Sequence, residues 1–216
     1  MAKWIAACTV AWLSAALAGS STLSASTLDA AKLAAILGPG VELVQRLDGD
    51  LNRDGEIDTT YVARDRDGYR VGVVLAYRSE GTYVHDDLQP LRLRGASRQP
   101  PLLDRTDEVL RVRHARIGAA TTSAAYRYRY DPYEHEMILI GLDAERGGTS
   151  DGDRLRLEWN LLTGEQRVWR GRNASGDAVV RRSLGERAAK PPWMVHTPDP
   201  AALLDAEMAA SRDPPR

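Results

Sequence analysis

The sequence predicts a mostly β fold, an antiparallel meander or sandwich-like pair of sheets with a short helix near each end. Three observations carry that prediction. Segments with an apolar period of two recur roughly every 10–15 residues from Val41 to Leu184. Turn-forming Gly, Asn, Asp and Pro residues separate them. Helical periodicity is confined to residues 28–37 and 200–208.

The first helix is expected from Leu28 to Leu37, with Thr27 as its cap and Gly38 as its terminator. Pro39-Gly40 then breaks the chain. Val41, Leu43, Val44 and Leu47 mark a strand, and Thr59-Thr-Tyr-Val-Ala63 is a second, rich in β-formers. Asp67-Gly68 is a tight-turn signal leading into a strand over 69–77. Ser79-Glu-Gly81 turns the chain into a fourth strand at 82–85. Residues 89–106 contain Pro90, Pro100 and Pro101 with few apolar anchors, and are expected to form a long loop. Over 108–117, Val109, Arg111 and Arg113 alternate with Leu110, Val112 and His114. Over 124–130, Tyr126, Tyr128 and Tyr130 share one face and Arg127 and Arg129 the other. Met137 to Leu142 is near-continuously apolar and is expected to be a central strand. Leu155, Leu157 and Trp159 face one way over 154–161. Thr163-Gly164 makes a hairpin into 166–170, and 178–184 is a last strand. Asp199-Pro200 supplies a cap and first helical residue for a helix through Met208, with a frayed tail beyond Ser211.

The 216 residues are 43% hydrophobic, enough for a core. A formal charge of −1 gives no global bias toward nucleic acid or anionic lipid. Among the basic residues only Lys3, Lys32 and Lys190 are lysine, and phenylalanine is absent, a pattern that reads as the coding bias of a GC-rich genome. The arginines are spread along the chain and interleaved with acids, unlike a nucleic-acid surface. At the start, Lys3 precedes an apolar run from Trp4 to about Ala18, too short to span a bilayer, which needs about 20 residues. Small-residue triplets ending at Ala18 and Ala25 fit signal-peptidase cleavage. The expected organisation is a cleavable signal peptide at 1–25, one β domain at 26–195, and a short helix with a tail at 196–216. Cys8, the only cysteine, would leave with the signal, so the mature protein would contain no disulfide and no membrane span.

One stretch carries chemistry: Asp48-Gly-Asp-Leu-Asn-Arg-Asp-Gly-Glu-Ile-Asp58. Carboxylates at alternate positions around a glycine suit calcium, which takes six to eight oxygen ligands from side chains and backbone carbonyls. With Asp50 as position 1, Asn52 falls at 3, Asp54 at 5, Glu56 at 7 through its carbonyl, and Asp58 at 9. Gly55 at position 6 permits the sharp turn. Without a cation these acids would repel one another. Magnesium, stricter in geometry, and zinc, without His or Cys, fit less well. An EF-hand or dockerin loop needs an acid at position 12, which here is Tyr61 in a β-prone run. The loop resembles instead the calcium loop of FG-GAP and VCBS-type β repeats, in which a hairpin holds the ion through positions 1, 3, 5, 7 and 9. Tyr126-Arg-Tyr-Arg-Tyr-Asp131, Leu139-Ile-Gly-Leu-Asp143 and Asn160-Leu-Leu-Thr-Gly164 resemble small exported bacterial proteins that carry one such repeat. The resemblance implies a structural calcium ion and a periplasmic or secreted location, and brings no activity with it.

No nucleophile elbow, phosphate loop or His-Glu-x-x-His occurs, though catalytic groups can also come from distant strands. Glu134-His135-Glu136 reads as a surface turn and His85-Asp86-Asp87 as a polar strand end. Asp143, Glu145, Asp151 and Asp153 read as the flanks of a flexible hairpin tip rather than a second ion site. Tyr126 and Tyr128, with Trp159 and Trp169, could form a platform for a glycan or peptide; the competing reading is a core face with tyrosine hydroxyls at its rim. The expected role is a non-catalytic binding or structural module of the bacterial envelope, with an unidentified protein or glycan partner. The alternatives are a hydrolase of envelope polymers that uses carboxylates from distant strands, and an inhibitor-like protein presenting loop 89–106.

Overall fold

A computed structural model describes residues 27–94, 99–117, 121–147, 153–172, 178–183 and 190–210. The expected signal peptide, with Cys8, and the expected frayed tail lie outside the described residues. The fold is mostly β, built from antiparallel sheets with two short helices. Among the described residues no helix is long and apolar enough to cross a membrane.

The first sheet is a meander of β1 (Glu42–Gly49), β2 (Asp58–Asp65) and β3 (Gly68–Ser79), completed by β4 (Thr82–Asp87) and β5 (Leu91–Arg94). Both β4 and β5 lie along the same edge of β3, the former against residues 74–79 and the latter against 68–71. Leu88 N donates to Val73 O at 2.9 Å and carries the ladder between them. Together they make one long fourth strand interrupted at Pro90, which has no N–H to donate. The second sheet runs in chain order through β6 (Leu102–Thr106), β7 (Val109–Ile117), β8 (Thr121–Asp131), β9 (Glu136–Arg146), β10 (Asp153–Asn160), β11 (Glu165–Arg172) and β12 (Ala178–Ser183). As expected for its apolar run, β9 is the middle strand of the seven. The expected loop at 89–106 is a misreading: its prolines stand just before β5 and β6, where strands tolerate them, and Leu91, Leu93 and Leu103 are core residues.

The two sheets face each other across one core. Val62, Tyr69, Val71, Val73 and Leu75 of the first meet Leu110, Val112, Tyr126, Tyr128, Met137 and Leu139 of the second. The opposite face of the first sheet is covered by α1 (Ala30–Leu37), whose Leu33 and Leu37 pack with Tyr61, Ala63 and Val74. Residues 58–63 and 71–76 are therefore buried on both faces, which explains why these strands read as continuous rather than alternating. The cap of α1 is Asp29, which accepts from Lys32 N at 2.8 Å, in place of the expected Thr27; Gly38 ends the helix at φ 83°. Tyr61 lies against Gly72, where any Cβ would collide with the phenol.

Along one seam the edges of the two sheets are tied by a side chain. Val44 forms an irregularity in β1, and the next residue, Gln45, binds the backbone of Leu103 in β6. Its amide donates to Leu103 O at 3.3 Å and its carbonyl accepts from Leu103 N at 3.1 Å. Beyond the end of β10, Pro192 and Trp193 extend the ladder on β9: Leu139 N donates to Pro192 O at 2.9 Å. A 3-10 turn at Met194–His196 then plugs Met194 into the core. Asp199 caps α2 (Pro200–Ala209), accepting from Ala201 N at 2.9 Å, and α2 lies against β8, β9 and β10. Arg146 pairs with Asp205, and Arg170 reaches Glu207, fixing α2 on the inner face of the larger sheet.

Gln45→Ala removes both side-chain bonds to the Leu103 backbone at that seam. It should cost about 1–3 kcal/mol in urea unfolding, with an unchanged denaturant slope.

Candidate functional site: the acidic loop and a polar crevice

The acidic loop spans the turn between β1 and β2, whose ladder closes at the Gly49–Asp58 pair. Positive φ at Arg53 (66°) and Gly55 (87°) curls the backbone so that side chains turn onto their own amides. Asp50 accepts from Arg53 N at 2.6 Å and Gly55 N at 3.1 Å. Asn52 accepts from Asp54 N at 3.1 Å and donates to Asp54 Oδ2 at 3.0 Å, while Asp54 Oδ1 accepts from Glu56 N at 2.8 Å. The Glu56 side chain turns away toward Arg78 at 3.7 Å.

Asp58 has a different place from the other expected ligands. It is 0% exposed, and its two oxygens accept from Leu51 N at 2.7 Å and Ala76 N at 2.9 Å. It ties the loop to β3 while Leu51 drops into the core. Burial pushes its carboxyl up to about 6 against those two amide bonds, and the charges of Asp54 and Asp50 push the same way. The second sheet clamps the loop from its other side. Arg105 donates to Asp50 O at 2.7 Å, Arg53 pairs with Glu108, and the Arg105 guanidinium leaves no room for a Cβ at Gly49.

Among the described residues no three His, Cys, Asp or Glu side chains are gathered closely enough to hold a metal ion as they stand. The donor set fits a hard cation in type: Asp50, Asn52 and Asp54 supply oxygens that each keep a further lone pair beyond the bonds described. No arginine or lysine side chain pairs with Asp50, Asp54 or Asp58 among the described residues.

The aromatic residues do not make a platform. Tyr126 and Tyr128 are core residues, at 1% and 0% exposure, stacked with ring centres 6.2 Å apart. The Tyr128 hydroxyl lies 2.8 Å from Thr197 Oγ1, which itself donates to Met194 O. Trp159 is half-buried on that inner face, but Trp169 is on the outer one, beneath Arg156 at 5.2 Å. The register decides this. Leu157 pairs with Val168, both pointing inward, so Trp169 points out. The outer face of the larger sheet also carries ion pairs: Arg127 with Asp143, Arg154 with Glu145, Arg156 with Glu158, Arg167 with Glu165. His135 sits in a turn at φ 54° with Nδ1 3.2 Å from the Tyr130 hydroxyl, and Glu134 pairs with Lys190.

A second site was only partly visible in sequence. Along β7 the inward positions run Leu110, Val112, His114, Arg116; opposite them on β8 lie Tyr128, Tyr126, Ala124 and Thr122. Polar groups thus replace apolar ones toward one end of the core, and small residues face them. They line a crevice of about 210 Å³, walled also by Leu91 and Leu93 of β5 and by residues 197–201 leading into α2. Arg116 approaches Asp199 at 3.9 Å. Burial lowers the His114 pKa, Arg116 lowers it further, and Asp199 partly opposes them. Burial raises that of Tyr126, aided by Asp199. The placement of His114 in the apolar register of β7 was the one sequence signal for this crevice.

In chelator, a carboxyl titration by NMR should place the Asp58 midpoint near 6. Because this folded-state pKa lies above the ordinary 3.8, its contribution to stability is complete below pH 4 and lost as pH rises through 6. The loss should be roughly 2–3 kcal/mol and should vanish in Asp58→Asn. Asp58→Ala, which leaves the buried Leu51 and Ala76 amides unpaired, should be destabilised by about 2–4 kcal/mol at pH 4.

No protein-family model, curated protein sequence or solved structure matches the chain, so the reading of its function rests on these two sites.

Proposed function

We propose that the chain is an exported β-sandwich module, stabilised by one calcium ion at Asp50, Asn52, Asp54, the Glu56 carbonyl and Asp58, that binds a partner without catalysis. The observation that carries the cation is electrostatic. Asp50, Asp54 and Asp58 share one short hairpin and, among the described residues, no cationic side chain is bonded to their carboxylates, in a chain that elsewhere sets arginine against acid repeatedly. A bound divalent cation would offset their repulsion and the cost of an ionised Asp58. It would act by locking the β1–β2 hairpin against β3 and against the β6–β7 turn, not by chemistry at a substrate. The likeness of the loop to FG-GAP and VCBS-type repeats supports the same reading, and the apolar leader at 4–18 supports export to the periplasm or beyond.

Binding is favoured over hydrolysis of an envelope polymer by the carboxylates. Among the described residues lining the crevice only Asp199 is acidic, and one of its oxygens already caps α2. The outer-face acids Asp143, Glu158 and Glu165 are each engaged by an arginine. Neither place offers the pair of free carboxyl groups that glycoside hydrolysis uses. The inhibitor-like alternative is weakened, since β5 and β6 take up half of residues 89–106.

Thermal unfolding with chelator, calcium or magnesium tests the ion. At calcium about a hundredfold above its Kd the melting temperature should rise by roughly 5–10 °C. Magnesium should give less, and Asp54→Ala should remove the response. An unmodified protein that melts alike with calcium and with chelator would overturn the calcium role.

A further inference from the structure

We infer that the crevice between β5, β7, β8 and the start of α2 binds a small uncharged polyhydroxylated ligand of monosaccharide size. This names a ligand class for the partner-binding role proposed above, and rests on that reading only in treating the crevice as non-catalytic.

The polar wall is mixed in sign and in hydrogen-bonding sense. Arg116 donates only, Asp199 accepts, and His114, Tyr126 and Thr122 can each do both. With His114 neutral, Arg116 and Asp199 cancel; Arg92, also at the crevice, lies opposite Arg70 on the α1 face of the smaller sheet, so the side chains that face inward carry no net charge to attract an ion of either sign. A hydroxyl both donates and accepts, and so a polyol can satisfy every one of these groups without adding an uncompensated charge. Leu91, Leu93 and Ala124 supply apolar surface for the C–H face of such a ring. The volume of about 210 Å³ suits one ring and excludes a longer chain from full burial.

Tyr126 supplies an independent pointer. It is 1% exposed, and among the described residues its hydroxyl makes no hydrogen bond, whereas its neighbour Tyr128 is bonded to Thr197. A nearly buried hydroxyl without a protein partner, in a residue lining a crevice, is a group waiting for one from outside. Arg116 is likewise held loosely: its side chain is 44% exposed and 3.9 Å from Asp199, so it can turn to a ligand without breaking a tight pair.

The test is an NMR titration of the full mature chain, in calcium throughout, followed at the His114 ring and the Tyr126 hydroxyl region. Glucose and N-acetylglucosamine are the probes; acetate, glycine and phosphate are the charged comparators. At least one sugar should give saturable shifts with a Kd on the order of 1 mM, while the charged molecules should not saturate. Tyr126→Phe should keep its melting temperature, because no protein bond is lost, yet weaken binding about 3- to 10-fold. Arg116→Gln should weaken it at least as much, and Arg113→Gln, exposed away from the crevice, should leave it unchanged. Absence of saturation by both sugars up to about 100 mM would overturn the inference. So would tighter binding of acetate, glycine or phosphate, or undiminished binding by Tyr126→Phe. Failure here with a calcium-dependent melt would leave the metal reading standing; sugar binding without a calcium response would remove the metal reading alone.

Discussion

The two sheets are unequal, and much else follows from that mismatch. With strands about 4.8 Å apart, seven span about 29 Å between outer axes, whereas the smaller sheet, with four strand positions, spans about 14 Å. One sheet cannot cover the inner face of the other. The uncovered part must be sheltered by something else, because Leu142, Leu155, Leu157 and Val168 on it are apolar. Helix α2 does this, brought there by the segment that pairs Pro192 and Trp193 with β9 and seats Met194 in the core. Where two covers of different kinds meet, they do not fit flush. The crevice lies at that junction, and its polar lining is the molecule's answer to a place where water can enter.

Charge is distributed by a different logic on each surface. On the outer face of the larger sheet, arginines and acids form adjacent and cross-strand pairs that are exposed and individually weak, so they contribute more to solubility and register than to stability. The β1–β2 hairpin is the exception. Its acids are turned onto backbone amides, which orders the loop but does not remove the negative charge. Arg105 and Arg53 are directed instead to the Asp50 carbonyl and to Glu108. The second sheet holds the loop in place and, among the described residues, leaves the Asp50, Asp54 and Asp58 carboxylates without a paired cationic side chain. Asp58 concentrates the tension: it is needed as a double acceptor in the interior, yet its burial raises the cost of the ionised form in which it would serve as ligand.

The proposed calcium loop and the crevice place different demands on the same frame. The loop sits where β1 turns into β2, against the β6–β7 turn; the crevice sits where the inner face of β7 and β8 runs out from under β5. Both therefore depend on how β6, β7 and the smaller sheet are held together, a job given in part to Gln45 at the seam with Leu103.

The sequence by itself determined what is local. Alternation, runs of β-formers and continuous apolar stretches located nearly all of the strands. Gly38 and the Asp199-Pro200 pair located helix ends, and the spacing of Asp50, Asn52, Asp54 and Asp58 marked the acidic loop. These features depend on neighbours within a few residues, where period and turn chemistry act. Tertiary structure alone decided the rest. Residues 91–94 and 102–106 are strands because β3 and β7 offer them free edges, which outweighs the prolines beside them. Trp169 faces outward because its pairing register with β10 sets its face, and no local period shows a register. Asp58 is an interior strut because Ala76, eighteen residues on, supplies one of the amides it accepts. The crevice exists only where two sheets and a helix fail to meet, a property of packing that no stretch of chain contains.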